Sequence, residues 1–107
     1  MDYKVIWTDG SLRDVEAIAK YIEKDSFYYA CSVVTKIIDT TKNLELFPFA
    51  GRVIPEENDD SVREHFVYNY RVIYEVRGLV IYVLAVVHGK RMLSPDYGER
   101  MNSSTAG

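Results

Sequence analysis

Residues 62–87 read V-R-E-H-F-V-Y-N-Y-R-V-I-Y-E-V-R-G-L-V-I-Y-V-L-A-V-V. This stretch decides the fold. It is dense in β-branched and aromatic side chains, which suit a pleated, half-buried surface. It divides into three extended runs, at 62–68, 70–76 and 79–87. Arg77-Gly78 between the last two is a tight-hairpin signal, because glycine supplies the positive φ such turns need. In the last run both alternating sets are apolar. Leu79, Ile81, Val83, Ala85 and Val87 form one face, and Val80, Tyr82, Leu84 and Val86 form the other. A strand apolar on both faces is covered on both, which predicts a central position in its sheet.

Upstream the period changes from two to between three and four. Residues 27–46 carry an apolar stripe at Ala30, Val33/Val34, Ile37/Ile38, Thr41 and Leu44, the pattern of one buried helical face. Pro48 stops this helix, since proline disfavours helical geometry in the residue before it and has no N–H to donate. Before it, Leu12, Val15, Ile18/Ala19 and Ile22 form a second stripe. The cluster Thr8-Asp9-Gly10-Ser11 offers N-caps for that helix, and Asp25-Ser26 breaks the chain between the two. So short a connection predicts an antiparallel helical hairpin. Residues 3–7, Y-K-V-I-W, read as a first strand. Residues 51–55 read as a short edge segment and 56–60 as a polar loop. The order is β-α-α-β-β-β(-β), an α+β fold with a mainly antiparallel twisted sheet and the hairpin on one face. Residues 1–93 form the single domain, and the polar residues 94–107 read as a mobile tail.

Composition narrows the possibilities. A chain of 107 residues that is 48% hydrophobic has enough core for one domain without disulfides. Its single cysteine, Cys31, excludes an internal disulfide, and with two histidines there is no metal-ligand spacing. The longest apolar run is too short to cross a bilayer as a helix. The opening M-D-Y-K-V-I-W-T-D-G lacks a basic stretch followed by an apolar one, so no signal peptide is expected. A cytoplasmic location is expected. The net charge of −3 is uneven: residues 1–62 hold 12 acids and 7 bases, whereas residues 63–91 hold five bases and two acids. A basic element on an acidic body suits a phosphate or an acidic partner, or is simply a set of solvated charges.

Four motifs now occur in order: L-x-x-F-P-x-A-G-R at 44–52, Arg63-Glu64, Y-R-V-I-Y at 70–74, and V-V-H-G-K-R-M-L at 86–93. With the strand and α-hairpin before them, they make residues 3–93 resemble the RelE/ParE superfamily of type II toxins. The resemblance implies a toxin of a plasmid-stabilisation-like module, without cofactors, neutralised by a cognate antitoxin. It also allows a homodimer or a toxin–antitoxin hetero-oligomer. In RelE-like members, which cut messenger RNA on the ribosome, Arg71 would meet the scissile phosphate, with His88 and Glu64 as acid and base. In ParE-like members, which bind DNA gyrase and block its reaction, no nuclease set is expected. The His-Gly-Lys-Arg ending and the pI near 5.3 favour the ParE side, since a protein working among RNA phosphates draws its affinity largely from Lys and Arg. Target or phosphate contacts are expected from Arg52, Arg63, Arg71, Lys90 and Arg91. Each has a plain alternative. Arg71 can pair with Glu64 or Glu75, His88 can serve the strand-to-tail turn, and Gly51 can permit a turn that leaves Arg52 in solvent or on a carboxylate. His65 points to the opposite face from Glu64. Tyr74 and Tyr82 are expected to be packed, and Tyr28, Tyr29 and Tyr68 to be exposed for an antitoxin.

Overall fold

The structure, a computed structural model, describes residues 2–55 and 59–89, together with the backbone of residues 104–106. The chain opens with β1 (Lys4–Thr8), then α1 (Asp9–Glu23) and α2 (Phe27–Asn43). The strands β2 (Arg52–Val53), β3 (Val62–Val67), β4 (Tyr70–Arg77), β5 (Val80–His88) and β6 (Ser104–Ala106) follow. The sheet order is β2-β3-β4-β5-β1-β6. β1 runs parallel to β5, and the other neighbours are antiparallel. The α+β class, the helical hairpin and the central β5 are as the sequence predicts. Among the described residues no helix is long and apolar enough to cross a membrane.

Local chemistry sets the element ends. Thr8 is the N-cap of α1: its hydroxyl accepts from the Ser11 N–H at 3.2 Å and donates to the Val83 carbonyl at 2.9 Å. One side chain thus starts the helix and fastens β1 to β5. Ser26 caps α2 by accepting from the Tyr29 N–H at 3.0 Å. The β4–β5 hairpin turns through Gly78-Leu79, with Gly78 at φ 57°. The β3–β4 hairpin turns through Tyr68-Asn69, and there a tyrosine takes the positive φ, at 52°.

Both helices lie on one face of the sheet. Ile22, Ala30, Val33, Ile37 and Leu44 pack there against Val67, Val72, Tyr74, Val76, Ile81, Val83 and Val86. The opposite face is a smaller core of Ile54, Val62, Ile73, Leu84, Ala85 and Val87. Three expectations change. Leu12 is exposed, because the stripe of α1 that faces inward passes through Ser11, Val15, Ile18 and Ile22, one residue and about 100° away. The strict alternation of β5 breaks at a bulge: Ile73 pairs with Ala85 but Tyr74 with Val83, leaving Leu84 as the extra residue. Ala85 and Val87 therefore share the face opposite the helices, while Ile81 and Val83 face them. The tail reading also fails at residues 104–106, which pair antiparallel with β1 as β6. An edge strand offers unpaired backbone groups to any extended segment, so a polar sequence can complete the ladder.

Gly51 is needed for space. Its N–H donates to the buried Tyr74 hydroxyl at 2.9 Å, and a Cβ there would lie 2.4 Å from the Glu64 carbonyl oxygen. Gly51→Ala is expected to destabilise by about 3 kcal/mol, the upper end for overpacking, because the obstacle is backbone; urea titration checks this. Burial raises the Tyr74 phenol above its ordinary value, an effect only partly offset by the Gly51 bond. Above about pH 10 the unfolded chain releases that proton while the folded chain keeps it, so stability falls as pH rises. Melting curves between pH 9 and 11 should show this fall, and Tyr74→Phe should flatten it.

Candidate functional site

The site is built around Glu64. It lies on β3, on the face away from the helices, and its side chain has no exposure to solvent. Arg71 on β4 donates from Nε to Glu64 Oε1 at 2.5 Å. Arg52 on β2 donates from Nε to Glu64 Oε2. The ladder explains the meeting. Arg52 stands directly across from Glu64, and Arg71, paired with Phe66, is its diagonal neighbour. The two arginines differ in setting. Arg71 has a side-chain exposure of 6% and Arg52 of 66%. Arg52 also lies over the Phe66 ring, 5.5 Å from its centre.

Arg63 faces the helix side. It donates to the Asp60 and Gly51 carbonyls at 3.0 Å and lies over Phe49 at 4.9 Å, so it staples the loop before β2 to the start of β3. At the far end of β4 Arg77 pairs with Glu75, which raises the Arg77 guanidinium above its ordinary value.

Of the expected catalytic residues, the fold brings Arg71 and Glu64 together and leaves His88 apart. His88 pairs with Tyr70 in register, their rings 6.0 Å apart and edge to face. It lines a cavity of about 350 Å³ on the helix side with Asp14, Ile18, Tyr21 and Tyr70. Asp14 accepts from the Val86 N–H at 3.0 Å in the same cavity. The bulge at Leu84 is the cause, since unbroken alternation from Tyr82 would set His88 on the other face. Both Glu64 oxygens are occupied by guanidinium groups. Arg52 is both exposed and paired. Lys90 and Arg91 lie outside the described residues. Tyr28, Tyr29 and Tyr68 are exposed and Tyr74 is fully buried, as expected. Among the described residues no three His, Cys, Asp or Glu side chains converge as metal ligands. Phe47, Phe49 and Phe66 stand exposed, with Arg63 over Phe49 and Arg52 over Phe66. For the first two the sequence signal is the pair of phenylalanines flanking Pro48.

The sequence profile described as "ParE toxin of type II toxin-antitoxin system, parDE" matches residues 5–93. The chain belongs to the ParE toxin family. Among solved structures, the chromosomal ParDE system from P. aeruginosa superposes with a TM-score of 0.66 at 22% identity, over 80% of this chain and 95% of that one. The RelBE2 toxin–antitoxin complex from Mycobacterium tuberculosis gives 0.61 at 16% identity, over 82% and 99%. A mutant of the E. coli toxin RelE in the free state gives 0.63 at 16% identity, over 95% and 97%. At these identities the likeness is one of fold. No curated protein matches the chain by sequence.

Within this ParE-family site, removing one partner of a buried pair strands the other. Glu64→Ala is expected to destabilise by about 3–5 kcal/mol. Arg71→Ala should cost less, because Arg52 still holds Glu64. Arg52→Ala should cost about 1 kcal/mol or less, since its guanidinium is in solvent. Denaturant midpoints for the three variants check the order.

Proposed function

We propose that this chain is a type II toxin that binds DNA gyrase and inhibits it, and that a cognate antitoxin neutralises it. One observation carries the reading. Among the described residues, the candidate acid, base and phosphate ligand are not assembled on one face of the sheet. Glu64 and Arg71 neutralise each other below the surface, while His88 opens on the helix side. Ribonuclease chemistry needs a base, an acid and a cation converging on one phosphate. Inhibition by binding needs only a complementary surface.

Two further facts support it. The family match is to ParE, and the net charge of −3 is poorly suited to sustained contact with ribosomal RNA. Arg52, with its exposed guanidinium, and Arg63 are the described members of the basic contact set, which Lys90 and Arg91 would extend. The antitoxin reading draws on the ParDE and RelBE2 systems that share the fold. It fits a partner segment that orders on binding and covers Tyr28, Tyr29 and Tyr68.

Purified protein is expected to inhibit gyrase supercoiling and to leave ribosome-bound mRNA intact. Codon-specific cleavage in a translating extract, abolished by Arg71→Ala and by His88→Ala, would establish a RelE-like endonuclease instead.

A further inference from the structure

A groove of about 420 Å³ lies between α2 and the outer edge of β3. Lys36, Thr40 and Asn43 line it at four- and three-residue steps, so they share one face of α2, and Phe47 follows just past the helix. Lys36 and Asn43 stand roughly 10 Å apart along the helix axis. From end to end the groove therefore offers a cation, a hydroxyl, an amide and an exposed aromatic ring, with Leu44 buried behind. Thr40 already donates to the Lys36 carbonyl at 2.8 Å, which leaves its oxygen as an acceptor. Lys36 also lines the cavity beside Tyr68, so the cationic end points toward the β3–β4 turn. β3 contributes His65 and the Phe66 N–H. The Val76 N–H donates to the Ser61 carbonyl at 2.9 Å, and by alternation residues 63, 65 and 67 bond β4 while the Phe66 N–H points to the outer side. β2 covers only Arg63 and Glu64, so among the described residues no strand stands beside that N–H. None of the residues lining the groove is acidic, and Asp39, three positions past Lys36, opens on the neighbouring cavity.

We propose that this groove binds a nucleoside monophosphate. The phosphate meets Lys36, with His65 and the Phe66 N–H on the strand side. The ribose hydroxyls bond the Thr40 oxygen and the Asn43 amide, and the base stacks on Phe47. The order of chemistry along the groove identifies the ligand, because a charge, a polar middle and a flat ring follow one another in both. The volume suits a small molecule. An apolar side chain from a protein would leave the polar half of the groove unmatched, and a bare inorganic anion would leave the aromatic end unused. A polynucleotide is disfavoured, because one lysine lines the groove and the net negative body repels each further phosphate. The Glu64–Arg71 pair lies on the face of the sheet away from the helices, so this site is independent of the target proposed above.

The test is calorimetric titration of the full chain with adenosine monophosphate. Saturable binding is expected, about tenfold weaker for adenosine, for inorganic phosphate, and in the variants Lys36→Glu and Phe47→Ser. Lys20→Glu, at an exposed position of α1 outside the groove, should bind as the unaltered chain does. Lys36 and Phe47 are both exposed, and an unchanged circular dichroism melt establishes that each variant is folded. Should either melt shift, Lys36→Gln and Phe47→Leu are expected to show the same loss. Any of three results overturns the proposal: no saturation up to about 10 mM nucleotide, equal affinity for the nucleotide, adenosine and phosphate, or a loss in Lys20→Glu as large as that in Lys36→Glu.

Discussion

Glu64 carries a carboxylate with no access to solvent, and an unpaired charge in that position would cost several kcal/mol, a large part of a small domain's net stability. Its two oxygens are held by Arg71 and Arg52, so one acid links three adjacent strands, β2, β3 and β4. Much else is arranged around this. β2 has only two residues, and it is positioned because Arg52 reaches Glu64 while Gly51 lets the chain pass close to the Glu64 carbonyl. Tyr74, from the opposite face, supplies the hydroxyl that accepts the Gly51 N–H. The motif at 44–52 and the motifs at 63–64 and 70–74 are thus parts of one structural clamp, although they are separate in the chain.

The clamp bears on function through what it occupies. Arg71 is buried against Glu64, and the Glu64 carboxylate meets a guanidinium group at each oxygen. The exposed basic and aromatic groups lie elsewhere, along the β2–β3 edge. Exposed tyrosines at the start of α2 and at the β3–β4 turn form a second surface, where Tyr29 and Tyr68 lie 6.3 Å apart. Tyr68 keeps a left-handed backbone that usually costs a bulky residue of order 1–3 kcal/mol. These outward-facing side chains lie on two sides of a chain that belongs to the ParE toxin family.

The amino-acid pattern by itself determined the element order, the helical hairpin, the central position of β5 and the family. These follow from short-range periodicity, capping residues and turn chemistry, which the order of residues writes directly. Glu64 was legible as a partner for Arg71 because cross-strand neighbours follow once the hairpin register is known. Tertiary structure alone decided the rest. The bulge at Leu84 puts His88 on the helix face, and no residue in an uninterrupted apolar run marks where a register slips. The requirement at Gly51 comes from the carbonyl of Glu64, 13 residues away in the chain, and not from a turn. The pairing of Ser104–Ala106 with β1 depends on an open edge and on backbone groups that every sequence shares. Whether a charged residue is spent in the interior or offered to a partner depends on what packs over it, and that is set only when the chain has folded.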